Sequence, residues 1–191
     1  MRILLEIPQG KLTSMDEMDI QRWPILQEDD EGLQDKLLDL LSERVQGDPY
    51  SEDGAFAASL ANLPAGFRAL AATHWLDMSL TMDSITWHFG NFGEPGLVAA
   101  TEAGLRELGL DELAQVFCDA RDLMMPLIKS SSAGEGEEDP SELLERHGLL
   151  SRGDELDDRA SDLNDTESGG SAIYEAWVRY TRQHPEAVFE P

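Results

Sequence analysis

Apolar positions recur at helical spacing along most of the chain, and they are densest over residues 65–125. There Phe67, Leu70, Ala71, His74 and Met78 mark one stripe, with Trp75 and Leu76 widening it until the predicted helix is largely buried. Pro64 stands where proline suits a first helical turn. Residues 84–89 read either as a continuation past a bend or as a second short helix. Gly90, Gly93, Pro95 and Gly96 form a loop. Residues 97–108 and 111–128 then predict a helical hairpin, with Gly109 just past the first helix and Asp111 as N-cap of the second. Pro126 is expected to end or kink that second helix.

The flanks are patterned more thinly. Residues 2–7 suit a short strand or an extended arm, ended by Pro8. Leu33, Leu37, Leu40, Leu41 and Val45 lie three and four apart, while Asp35, Asp39 and Glu43 repeat every four residues on another face. Gly47-Asp48-Pro49 stops this helix, and residues 55–60 make a short Ala-rich turn. Residues 130–138 are Ser, Gly and Glu with Ala133, which predicts a flexible loop. Asp139-Pro140-Ser141-Glu142 has the order of a capping box opening a short helix, which Gly148 closes. Residues 154–167 are strongly acidic but keep Leu156, Ala160 and Leu163 on one stripe. Gly169-Gly170 precedes a last helix with Ile173, Tyr174, Trp177, Val178 and Thr181 inward. The fold class is all-α, one compact bundle of about seven to nine helices. Its expected core holds Phe67, Leu70, Trp75, Trp87, Phe89, Leu105, Leu108, Phe117 and Trp177. Residues 1–54 form an acidic extension with one amphipathic helix, packing as a unit with the helical domain of residues 55–191.

Charge changes the picture most. The 191 residues contain 39 Asp plus Glu against 14 Lys plus Arg, a net charge of -25. Residues 1–54 carry -9, residues 55–130 carry -5, residues 131–170 carry -10 and residues 171–191 carry -1. An apolar helical hub thus sits between two acidic flanks. Such a chain repels nucleic acid and anionic membranes and attracts basic partners. No stretch reaches transmembrane length, and the first apolar run is too short for a secretory signal. The single cysteine, Cys118, excludes an internal disulfide framework and fits a reducing cytosol, so a cytoplasmic location is expected.

Candidate chemistry is sparse. His74, His88, His147 and His184 show no paired ligand spacing, so no metal is expected, and core or core-edge packing explains His74 and His88 better. The run from Asp162 resembles a calcium loop only faintly, because Glu167 replaces the glycine at its sixth position and Ile173 the glutamate at its twelfth. Cys118 has no cationic neighbour in sequence and suits a small core residue rather than a nucleophile. No Lys-Ser or Lys-Thr follows Gly90, Gly93 and Gly96, so they make no phosphate loop. No constellation supports an enzyme or a cofactor.

Residues 74–94 (HWLDMSLTMDSITWHFGNFGE), followed by residues 100–120 (ATEAGLRELGLDELAQVFCDA), resemble the bacterial DNA-mimic protein family. The closing YTRQHPEAVF and the segment Asp154-Glu155-Leu156-Asp157-Asp158 resemble it too, so the likeness covers roughly residues 60–190. It departs at Met82-Asp83-Ser84, where the family usually has an Asn-Gly-Gly step. The resemblance implies an all-helical, non-catalytic acidic protein that occupies the DNA-binding surface of a basic protein, such as a transcription regulator or nucleoid protein. The expected partner-binding residues are Asp154, Glu155, Asp157, Asp158, Asp162 and Asp165. The alternatives are an immunity protein that neutralises a basic nuclease toxin, or an acidic helical protein adapted only for solubility. The choice between monomer and homodimer stays open.

Overall fold

The computed structural model describes residues 21–131 and 139–190. The arm expected over residues 2–7 and most of the loop expected over residues 130–138 lie outside the described residues. Among those described, ten α-helices follow a short 3-10 helix at Pro24–Gln27, and there is no strand beyond one isolated bridge between Asp165 and Ser171. The helices are α1 (Asp30–Arg44), α2 (Ala55–Leu60), α3 (Ala65–Met82), α4 (Ile85–Asn91), α5 (Pro95–Glu107), α6 (Asp111–Ser131), α7 (Pro140–Arg146), α8 (Leu150–Asn164), α9 (Ala172–Gln183) and α10 (Pro185–Phe189).

Helix α3 is the centre, touching α2, α4, α5, α8, α9 and α10. Its burial is broader than a stripe, because Ala69, Ala71 and Ala72 are inside together with Phe67, Leu70 and Leu76. Small side chains let neighbours approach closely. A Cβ on Gly104 of α5 would lie 3.0 Å from the Ala69 carbonyl oxygen, so that crossing accepts no larger residue without a shift. Thr101 donates to the Ala72 carbonyl at 3.2 Å across the same contact. Trp177 of α9 lies fully buried and donates from Nε1 to Thr73 of α3 at 2.9 Å, which satisfies the indole while its rings fill the core.

Local signals explain most helix ends. Ser84 accepts from the Trp87 amide at 3.1 Å and starts α4 as a separate helix rather than a bent continuation of α3. Gly109, at φ 74°, closes α5 with the Leu110 amide bonded to the Leu105 carbonyl at 2.9 Å. Asp139 caps α7 through the Ser141 amide at 2.8 Å. Two details differ. Asp111 is the first residue of α6 rather than its cap, and Pro126 does not end α6, which runs on to Ser131. Proline removes one amide donor, and in α6 the chain keeps its helical path through that gap. The Ala-rich turn over residues 55–60 closes into α2, and His184-Pro185 starts the extra helix α10.

Seven of the nine expected core residues are buried, Phe67, Leu70, Phe89, Leu105, Leu108, Phe117 and Trp177. Trp75 and Trp87 are partly buried at the rim. Ile85, His88 and Phe89 take the inward positions of the short helix α4 and leave Trp87 the flank. Leu33, Leu37 and Leu41 of α1 join the same core as the rest of the chain. Arg182 of α9 fixes the start of α1, donating to the carbonyls of Leu26 and Glu28 at 2.9 Å each and to the Asp30 carboxylate at 2.8 Å.

Candidate protein-interaction surface

The acidic segment after Gly148 folds as α8 because Leu156 and Ala160 bury against α6 while the polar positions turn outward. Asp154, Asp158 and Asp162 follow one another at steps of four and are exposed, and Asp165 lies just past the helix end, also exposed. None of these four side chains has an ion-pair partner among the described residues. Glu155 is exposed but bridged to Arg152 at 2.6 Å. Arg159 reaches towards Asp119 of α6 at 3.9 Å.

Asp157 has a different position from its neighbours. It is half-buried, and its two carboxylate oxygens accept from the Thr86 amide and the Thr86 hydroxyl, each at 2.9 Å. Thr86 lies in the first turn of α4, so a carboxylate from α8 serves as a second cap beside Ser84. Burial raises the Asp157 pKa above the usual carboxylate value, against the lowering effect of both Thr86 hydrogen bonds. The structure therefore groups Asp154, Glu155, Asp158, Asp162 and Asp165 on the outside and places Asp157 in a joint between helices. Its partner is 71 positions away in the sequence, so acid density alone gives no sign of it.

A second acidic line runs along α1, where Glu31, Asp35, Asp39 and Glu43 are all exposed at steps of four. Lys36 and Arg44 are the cations of that helix.

A buried polar cluster lies beneath the C-terminal end of α8. Asp77 of α3 is only 3% exposed. Its Oδ1 accepts from Asn164 Nδ2 at 3.1 Å and from the Ser171 hydroxyl. Asn164 Oδ1 in turn accepts from the Ile173 amide at 3.2 Å, and Ser171 Oγ caps α9 through the Tyr174 amide at 3.2 Å. One carboxylate thus ties α3, the end of α8 and the start of α9 together. Burial, then the charge of Asp77, push the Tyr174 hydroxyl well above the usual phenol range. The sequence trace of this cluster is a lone aspartate, Asp77, among the apolar positions of the hub helix.

His88 is enclosed by aromatic rings, with Phe92 at 5.3 Å and Phe117 at 5.7 Å between ring centroids. Its Nδ1 lies 2.9 Å from Ser79 Oγ, and Nε2 has no hydrogen-bond partner among the described residues. Burial pushes its pKa down to about 3, so the ring is neutral at pH 7. Cys118 is buried in α6 with Arg106 Nη2 3.8 Å from its sulfur, and burial raises its thiol pKa against the lowering effect of Arg121 and Arg106. Among the described residues no group of three His, Cys, Asp or Glu could hold a metal ion, and no helix is long and apolar enough to cross a membrane.

The model of the DMP19-like protein family matches residues 61–184. The chain belongs to the DMP19-like family. No curated protein and no solved structure matches it. The DMP19-like region begins four residues before α3 and ends at His184, so it holds α3 to α9 complete. It contains Asp154, Glu155, Asp157, Asp158, Asp162 and Asp165, the Asp77 cluster and Arg182. The acidic line of α1 lies outside it.

Proposed function

We propose that this protein binds a basic, DNA-binding protein through the outward carboxylates of α8 and thereby keeps that partner off DNA. The observation that carries this reading is the row Asp154, Asp158 and Asp162, extended by Asp165, held on a helix and without ion-pair partners among the described residues. At a rise of about 1.5 Å per residue, steps of four place a carboxylate every ~6 Å. One strand of B-DNA presents a charge about every 3.4 Å, so the row has roughly half that linear density before Glu155 is counted. DMP19-like membership is compatible with a DNA-mimic role, and the family resemblance implies one. The two exposed cations of α8 both have carboxylates beside them, Arg152 bridged to Glu155 at 2.6 Å and Arg159 reaching Asp119 at 3.9 Å, so the helix stays net acidic towards a basic surface.

The test is capture and competition. The full chain is immobilised at low salt, the bound proteins are eluted with high salt, and the eluted partner is returned to its DNA. Adding this protein is expected to release the DNA, with an effect that weakens as salt rises, because exposed charges are screened over about 8 to 10 Å at physiological ionic strength. The triple variant Asp154→Asn, Asp158→Asn, Asp162→Asn is expected to lose capture while its melting temperature stays near that of the parent. A partner that holds DNA and this protein together, without salt dependence, would sink the reading.

A further inference from the structure

A polar cleft of about 520 Å³ opens between α1 and the C-terminal ends of α3 and α8. Its walls include Gln34 of α1, Thr81 of the last turn of α3, Ser161 and Asn164 of the last turn of α8, and then Asp165 and Ser171. Among the described residues no Lys, Arg or His lines it. The last carbonyls of a helix lack intrahelical partners and carry a partial negative charge, which a cation in the last turn ordinarily offsets. Helices α1, α5, α6, α7 and α9 follow that rule with Arg44, Arg106, Lys129, Arg146 and Arg182. Helices α3 and α8, like the short α2 and α10, have no basic residue in the last turn, and α3 and α8 are the two whose ends meet at the cleft.

Two carboxylates add to the same field. Asp165 stands exposed at the cleft, with no ion-pair partner among the described residues. Asp77 lies just behind the wall, hydrogen-bonded by Asn164 and Ser171, which are both lining residues. The lining offers further acceptors in the Gln34 amide and the hydroxyls of Thr81 and Ser161. The volume is far greater than the ~30 Å³ that one water occupies in the liquid, so an organic cation fits the space better than a bare ion.

We propose that this cleft receives the guanidinium group of an arginine side chain presented by the basic partner. It rests on the reading that the partner is basic, and adds where its side chain inserts. A guanidinium is planar, always charged and carries five donors in a fixed fork, which suits a mouth with a carboxylate on one side and carbonyls and hydroxyls on the other. The rows of α1 and α8 then steer the partner in, and the cleft fixes its register.

The experiment is an amide NMR titration of the full chain at low salt with N-acetyl-arginine amide. Saturable shifts are expected at Thr81, Asp165, Gly169, Gly170 and Ser171, and none with the neutral citrulline analogue. Ser161→Trp and Thr81→Trp each fill the space without removing a carboxylate, and either is expected to weaken binding by about tenfold or more, while Asp165→Asn weakens it by several-fold. Shifts spread evenly over α1 and α8, with both tryptophan variants responding as the parent, would overturn the cleft while leaving the proposed function standing. Saturation by the lysine amide at a lower concentration than the arginine amide would overturn the guanidinium assignment. Loss of salt-dependent partner capture with the cleft titration intact would instead remove the proposed function.

Discussion

On α1, Glu31, Asp35, Asp39 and Glu43 all face solvent, whereas on α8 the acids divide. Asp154, Asp158 and Asp162 point outward, and Asp157, in the same run, turns inward to hold the first turn of α4. Both helices bury apolar side chains of their own, Leu33, Leu37 and Leu41 on α1 and Leu156 and Ala160 on α8. The difference lies in the angular position of each acid. Steps of four from Asp154 stay on the outer face, while Asp157 is three residues before the buried Ala160 and shares its side of the helix. A carboxylate is surface charge or structural joint according to what stands opposite it, not according to how many acids surround it.

The comparison can be broken first at α1. Leu37→Ala removes a fully buried side chain and is expected to cost about 2–5 kcal/mol in urea unfolding, although α1 lies outside the DMP19-like region. A loss near zero would mean that α1 is an ornament on a core complete without it. Next comes the end of α8. Asn164→Ala leaves the buried Asp77 short of a donor and is expected to cost about 2–3 kcal/mol, read by the same measurement. The sharpest contrast is smaller. Asp157→Ala removes the cap on Thr86 and is expected to cost about 1–2 kcal/mol, against at most about 0.5 kcal/mol for Asp158→Ala or Asp35→Ala. Equal melting temperatures for the Asp157 and Asp158 variants would erase the distinction between the two faces of α8.

What could be read from the sequence follows from how local each cause is. The all-α fold, the Gly109 stop and the Asp139 cap depend on residues within a turn of one another, and those were legible. The rim position of Trp87 was not, because it depends on which face of the short helix α4 meets its neighbours. The outward acids of α8 were legible as a group, but Asp157 could be separated from them only through Thr86. The cleft joins Gln34 to Asp165 and Ser171, far apart in the chain, yet it left one readable trace in two long helices that end without a basic residue.

The enclosure of His88 has a consequence in proton counts. An unfolded chain takes up a proton on histidine near pH 6.5, and the folded one refuses it until about pH 3. Between those values the unfolded state binds one proton more, so folding weakens as pH falls, by up to about 1.4 kcal/mol per unit, and above pH 6.5 the group contributes no pH dependence. A His88→Leu variant is expected to flatten the stability–pH slope between pH 6.5 and 5 by that one proton, whatever its stability at neutral pH. Acidification that discharges the carboxylate coat and eases its mutual repulsion thus meets resistance from a single imidazole in the middle of the hub.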